Sequence, residues 1–234
     1  MARILDYIRI LRPTNLAIII LSQYFIQYHV IDLLVEGELL MTPFIWSLFV
    51  LTTCIIAATG YIINDVYDVE IDTVNKPEKT FIPQKITVAQ ALRYYWAWVL
   101  VGFAISVYIA NTIDFISHLW LYPLCVAVLY FYASHIKSSV LWGNIIVSLF
   151  VAWVWGILFY VEATQHGEIH ILYYIGIVFS IIGFFINLMR EIIKDIEDKD
   201  GDSLQNIKTL PIVYGIQTSK IIVYMFFNRY QWFE

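Results

Sequence analysis

The chain has 234 residues, 60% of them hydrophobic and only 14% charged, with a formal net charge of −5. A soluble domain carries roughly 45–50% apolar and about 25% charged residues, so this composition excludes a water-soluble globule. The lack of a basic stripe interleaved with aromatics excludes nucleic-acid binding, and two cysteines, Cys54 and Cys125, both within apolar runs, make neither a disulfide framework nor a zinc site.

The N-terminal stretch MARILDYIRILRP reads as an amphipathic lead-in rather than a removable signal peptide. Apolar runs of spanning length, about 20 residues each, follow at Thr14–Val35, Pro43–Ile63, Ala91–Ala110, Phe115–Ser134, Val140–Val161 and His170–Met189, with a seventh expected from near Thr218. Aromatic residues gather at the run ends, as in RYYWAW and LYFYASH, where amphipathic rings suit the headgroup region. β-Barrel alternation is absent. The expectation is an all-α, polytopic transmembrane helix bundle of about seven spans, forming a single domain over residues 1–234. Gln23, Gln27, His29 and Asp32 lie in the first run; such polar residues face a cavity or, for the glutamines, bond between helices.

Orientation follows from the basic residues. Arg3, Arg9 and Arg12 precede the first run; Lys76, Lys79, Lys85 and Arg93 follow the second; Lys137 follows the fourth; Arg190, Lys194, Lys199 and Lys208 follow the sixth. The loops around EGELL, NTID and EATQHGE contain no Lys or Arg, so 12 of the 14 basic residues share one side. By the positive-inside rule that side, with the N-terminus, is cytoplasmic.

Two acidic clusters face the same side. NDVYDVEID holds Asp65, Asp68 and Asp72, and DIEDKDGD holds Asp195, Asp198 and Asp202; both read D-x2-D-x3-D, and corresponding members are 130 residues apart. On one helix, positions i, i+3 and i+7 fall within about 60° of arc and span roughly 10 Å. Like charges so placed destabilise a helix, and the membrane boundary makes the desolvation worse. A divalent cation removes the conflict, and oxygen-only ligands suit Mg²⁺, which shares its shell with substrate phosphates. Asn64 adds a neutral oxygen beside the first cluster. An EF-hand is excluded for the second: with Gly201 at the sixth loop position, Ile196 and Ile207 occupy the first and twelfth, where carboxylates are needed.

Lys76 beside the first cluster, and Arg190, Lys194 and Lys208 around the second, complete a cradle for a diphosphate. A diphosphate at the mouth of an apolar bundle implies a substrate with a long apolar tail, such as a prenyl diphosphate.

These residues resemble the UbiA superfamily of intramembrane prenyltransferases. Asn64, Asp65, Asp68 and Asp72 match its first motif, Asn75-Lys76-Pro77 the segment after it, Asp195, Asp198 and Asp202 its second motif, and Leu11 to Asn15 (LRPTN) its opening segment. MREIIKDIEDKDGD with KTLP, Gly143-Asn144 and the LY…K ending at Lys137 are most similar to the digeranylgeranylglyceryl phosphate synthase branch. The resemblance implies Mg²⁺-dependent transfer of a prenyl group from a prenyl diphosphate to a lipid or aromatic acceptor: geranylgeranylglyceryl phosphate first, a hydroxybenzoate or dihydroxynaphthoate as the alternative. It implies catalytic Asp65, Asp68, Asp72, Asp195, Asp198 and Asp202; metal ligands Asn64, Asp68, Asp72, Asp198 and Asp202; and substrate contacts from Asn64, Lys76, Arg12, Asn15, Tyr132, Lys137, Asn144, Arg190, Lys194 and Lys208. Tyr130, Tyr132 and Tyr67 are candidate π faces for a carbocation.

Two departures accompany it. Glu78-Lys79-Thr80 stands where the family reads x-R-P, which removes a bidentate guanidinium. The family has about nine spans, so a chain ending in its seventh is expected to be C-terminally short, and an inactive fragment is the corresponding alternative. An ion-coupled transporter would place its acids at the midplane on broken helices, and a CDP-alcohol phosphotransferase wants glycine where Val69 stands.

Overall fold

A computed structural model describes residues 4–35, 37–75, 81–137, 139–165, 170–204 and 208–228. Those residues form helices joined by short turns and loops, with no strand among them. A short α1 (Ile4–Arg9) leads into α2 (Pro13–Ile26), which runs on through a π-helical turn (Gln27–Ile31) to Leu34. Then come α3 (Pro43–Tyr67), α4 (Val69–Asn75), α5 (Val88–Thr112), α6 (Leu121–Phe131) with a π-helical turn over Tyr132–Ile136, α7 (Trp142–Gln165), α8 (His170–Leu204), α9 (Leu210–Val213) and α10 (Gly215–Asn228).

Local chemistry sets the helix starts. Pro13 and Pro43 occupy first-turn positions, where a missing N–H costs nothing. Thr42 caps α3 by accepting from Ile45 N, and Thr87 with Gln90 forms a reciprocal capping box on α5.

Among the described residues, six helical segments are long and apolar enough to cross a bilayer: Pro13–Leu34, Pro43–Tyr67, Val88–Thr112, Ile116–Ile136, Trp142–Thr164 and Ile171–Ser203. The chain is thus an integral, multi-pass membrane protein. The expected seventh span falls on α10, of which 14 residues are described, Gly215–Asn228.

α7 and α8 form the most extensive helix pair, and α3 packs along α5. Gly176 permits the first contact, because a Cβ there would lie 2.7 Å from the Phe159 Cβ. One apolar core joins Trp46, Val50 and Cys54 of α3 to Leu158 and Phe159 of α7; a second joins Ile62 and Ile63 to Tyr95, Tyr122 and Val126. Gln23 is fully buried and donates to Val154 O at 3.0 Å. Glu162, also buried, accepts from Leu40 N at 2.8 Å. Polar groups at membrane depth are thereby bonded between elements.

α8 continues beyond the apolar run that ends near Met189 as one 35-residue helix to Leu204 and carries the whole second acidic triplet, as the helical spacing of that triplet leads one to expect. Apolarity ends where the bilayer does, whereas backbone hydrogen bonding can continue in water. The first triplet is not on one uninterrupted helix. Asp65 lies in the last turn of α3, and Asp68 terminates that helix at φ −89, ψ 1 before α4 begins. The ladder bridges the break, with Asp68 N bonded to Asn64 O at 2.9 Å and Asp72 N to Asp68 O at 2.7 Å.

Candidate functional site

A cavity of about 530 Å³, within the roughly 300–1,000 Å³ usual for small-molecule sites, runs between α2, α3, α5, α6, α7 and α8. Its long wall is apolar: Ile19, Phe49, Ile56, Ile109, Phe150 and Trp155 are among its lining residues. One end is different. Arg12, Asn15, Asn64, Tyr132, Lys137, Asn187, Arg190, Glu191 and Lys194 line it, toward the predicted cytoplasmic side.

The first acidic cluster is built from long-range contacts at this end. Arg12, held in the left-handed region at φ 53, stands ahead of α2. Its Nη2 donates to Asp65 Oδ1 at 2.7 Å, and its guanidinium lies 4.8 Å over the Tyr61 ring. Asp68 is buried; it accepts from Asn64 Nδ2 at 2.7 Å and forms an ion pair with Lys137 from the end of the fourth span. Asp72 follows one turn on, within electrostatic reach of Asp65.

The second cluster lies on α8. Asp195 accepts from Asn144 Nδ2 of α7 at 2.7 Å. Asp198 and Asp202 are partly buried further along the same helix. Arg190 and Lys194 flank the cavity mouth, and Glu191 lies between them, paired with Arg190 and 4.0 Å from Lys194 Nζ.

The two motifs lie on neighbouring elements: α4, which carries Asp72, packs against α8, which carries the second triplet, and Tyr132, on the π-helical turn after α6, is within electrostatic reach of Asp68 and Asp195.

Among the described residues, no three His, Cys, Asp or Glu side chains gather into a ready-made metal cage. The donor set is nonetheless all oxygen, from Asn64 and the two aspartate triplets. That fits Mg²⁺, which takes one or two carboxylates and fills its shell with water and substrate phosphate oxygens.

The remaining expected residues divide. Arg12, Asn15, Asn64, Tyr132, Lys137, Arg190 and Lys194 line the cavity, while Asn144 reaches the site through Asp195. Lys208 is exposed and does not line the cavity, because it follows the end of α8. Lys76 lies outside the described residues.

Of the tyrosines, Tyr132 alone of the three candidates lines the cavity; Tyr67 and Tyr130 are exposed and bond to each other through their hydroxyls at 2.9 Å. Gln23 and Gln27 are buried between helices, and His29 and Asp32 are exposed, so none of the four faces the cavity. Sequence reasoning missed Glu191, Tyr61 and Asn187 as lining residues. Helical spacing of Glu191 four positions before Asp195, and of Tyr61 three before Asn64, was the available signal.

Comparison with known proteins follows the same lines. The pattern of the UbiA prenyltransferase family matches residues 29–228. The chain is similar to the digeranylgeranylglyceryl phosphate synthase of Saccharolobus solfataricus, at 36% identity over 170 residues, covering 70% of this chain and 55% of that one. It is similar to the protein of the same name from Methanobrevibacter smithii, at 33% identity over 226 residues, covering 92% and 71%. A solved structure described as "Structural and mechanistic insights into the biosynthesis of Digeranylgeranylglyceryl phosphate synthase in membranes" superposes with a TM-score of 0.67 at 22% identity, over 94% of this chain and 72% of that one. The chain spans 55% and 66% of the lengths of the Saccharolobus solfataricus and Sulfurisphaera tokodaii relatives.

Proposed function

The chain belongs to the UbiA prenyltransferase family, and from that membership we propose that it transfers a geranylgeranyl group from its diphosphate to geranylgeranylglyceryl phosphate. The observation that carries this reading is the joining of one apolar cavity to a cationic end, lined by Arg12, Lys137, Arg190 and Lys194, where Asp65 and Asp68 pair with Arg12 and Lys137 and α4 packs against α8. The names of the relatives favour the lipid acceptor over an aromatic one.

The chain's own residues supply most of the chemistry. Arg12, Lys137, Arg190 and Lys194 bind the diphosphate and take up the negative charge that accumulates on it as the allylic C–O bond breaks. Asp65 and Asp68 hold Arg12 and Lys137 at the mouth, so those cations need little reorganisation. Asn64, Asp68, Asp72, Asp198 and Asp202 are the residues that would hold Mg²⁺, which when bound draws charge from the leaving group as a Lewis acid. The apolar wall excludes water from the electron-poor allylic carbon. Tyr132 presents a π face beside it. The acceptor hydroxyl attacks that carbon and gives up its proton, while the diphosphate departs toward the basic, cytoplasmic side.

The test is incubation of membranes containing the full chain with labelled geranylgeranyl diphosphate and either geranylgeranylglyceryl phosphate or hydroxybenzoate. Label in the diether lipid supports the proposal. Label only in the aromatic acceptor, or in neither, overturns it.

A further inference from the structure

Away from its cationic end, the cavity wall includes a layer of rings. A short 3-10 turn, Ile116–His118, connects α5 to α6, and Phe115, just ahead of that turn, and His118, at its end, line the cavity. His118 is held on three sides. Its ring lies on Phe115 with centroids 3.9 Å apart and planes 13° from parallel. Its Nε2 is hydrogen-bonded to the Tyr160 hydroxyl of α7 at 2.9 Å, and its Nδ1 to Ser117 Oγ at 3.0 Å. Tyr160 in turn lies beside Trp153, centroids 6.4 Å apart, and Trp153 also lines the cavity. Moving the imidazole aside breaks two hydrogen bonds and a stack at once.

The separation of the two ends is readable along α3, which contributes Asn64 at the cationic end and Phe49 toward the other. At 1.5 Å per residue these positions are about 22 Å apart. An extended prenyl chain advances about 5 Å per isoprene unit from ordinary carbon–carbon bond lengths, so about four units cover that stretch of wall, whose Phe49 packs against the same apolar cluster as Phe115.

We propose that the Phe115–His118–Tyr160 layer is the stop that sets the length of prenyl chain the protein accepts. This deepens the transferase reading and rests on it. A donor with one more unit has to displace the bonded layer, and a shorter one leaves apolar wall uncovered and loses that burial. Discrimination by filling an apolar pocket is modest, about 10- to 200-fold for small differences in a hydrophobic group; a bonded floor adds rejection of the longer chain.

The experiment measures binding of non-reactive thiolodiphosphate analogues of farnesyl, geranylgeranyl and geranylfarnesyl donors to the full chain in detergent, so that no turnover is needed. Wild type is expected to bind the geranylgeranyl analogue about tenfold or more tighter than the geranylfarnesyl one. His118→Ala and Phe115→Ala should narrow that gap at least about fivefold, and His118→Trp should move the preference to farnesyl. Phe115→Leu serves as a milder opening variant if the alanine proteins do not fold. Variants that bind with the wild-type length ranking overturn the stop. Failure of wild type to bind any of the three analogues overturns instead the donor-site reading beneath it.

Discussion

Arg12 Nη2 lies 2.7 Å from Asp65 Oδ1, although 53 residues of chain separate the two. That contact ties the segment before the first span to the end of the second, and it holds a guanidinium in the cavity wall above the Tyr61 ring. Arg12→Lys keeps the charge but loses the planar fork and the stacking. KM for the prenyl diphosphate is expected to rise about tenfold with a smaller change in kcat. Stability should change little, because Arg12 is 41% exposed and exposed pairs contribute about 0–1 kcal/mol. Steady-state kinetics with a thermal midpoint in detergent check both parts, and an unchanged KM would remove Arg12 from the diphosphate site.

Asp68 and Asp198 belong to different motifs and should fail alike. Asp68→Asn preserves the shape that Asn64 and Lys137 hold but removes the negative oxygen. Asp198→Ala removes a carboxylate from α8 without touching a buried apolar core. Each is expected to lower kcat by about 100-fold or more, the scale seen when one electrostatic stabiliser of a transition state is lost. Thermal midpoints should stay within a few degrees of wild type. Activity near wild type in either variant would refute the role of its motif.

Removal of divalent ions is the matching test on the ligand side. EDTA should stop product formation, and Mg²⁺ added in excess should restore it, because the aspartate clusters offer only oxygens and hard cations prefer them. Turnover that survives exhaustive chelation would mean that Arg12, Lys137, Arg190 and Lys194 neutralise the leaving group unaided.

Close approach of α5 to α6 and α3 gives a prediction about the fold alone. A Cβ at Gly102 would meet the Tyr122 hydroxyl and come within 2.8 Å of Ile55 Cγ2, and that hydroxyl donates to Val99 O at 2.9 Å. Gly102→Ala should therefore destabilise by about 1–3 kcal/mol through overpacking, against a helix-propensity gain of about 1 kcal/mol. A lower thermal midpoint with kcat retained is the expected result. A rise would show that Tyr122 has room to move.

What the sequence made legible was what repeats or persists locally. Six spans were placed by apolar runs, and both aspartate triplets by one spacing. Both triplets have members on elements that pack together, α4 against α8. The continuation of α8 past Met189 was legible only through the helical spacing of its aspartates, because hydropathy measures where lipid ends and says nothing of where hydrogen bonding ends. The break at Asp68 was hidden from both, since a single residue at φ −89, ψ 1 leaves no mark on periodicity. Pairings such as Lys137 with Asp68, or His118 with Tyr160, join residues 69 and 42 positions apart. They depend on how helices are arranged, which a pattern within one helix does not encode.

Asn144 and Asp195 offer the sharpest check on that arrangement, because their 2.7 Å hydrogen bond joins α7 to α8 beside the second motif. A hydrogen bond to a charged group contributes about 1.5–3 kcal/mol when buried, and less here because Asp195 is only partly buried. Asn144→Ala should thus cost about 1 kcal/mol in stability and leave the Asp195 carboxylate free to reorient, lowering kcat. Asp195→Ala should cost about as much in stability and more in kcat. If the two side chains act on each other, the double variant should be no less stable than the worse single one, a coupling of about 1 kcal/mol, whereas separate sites would add. Strict additivity in thermal midpoints would mean that α7 does not position Asp195, and the nearness of the two motifs would then rest on Tyr132 and the α4–α8 contact alone.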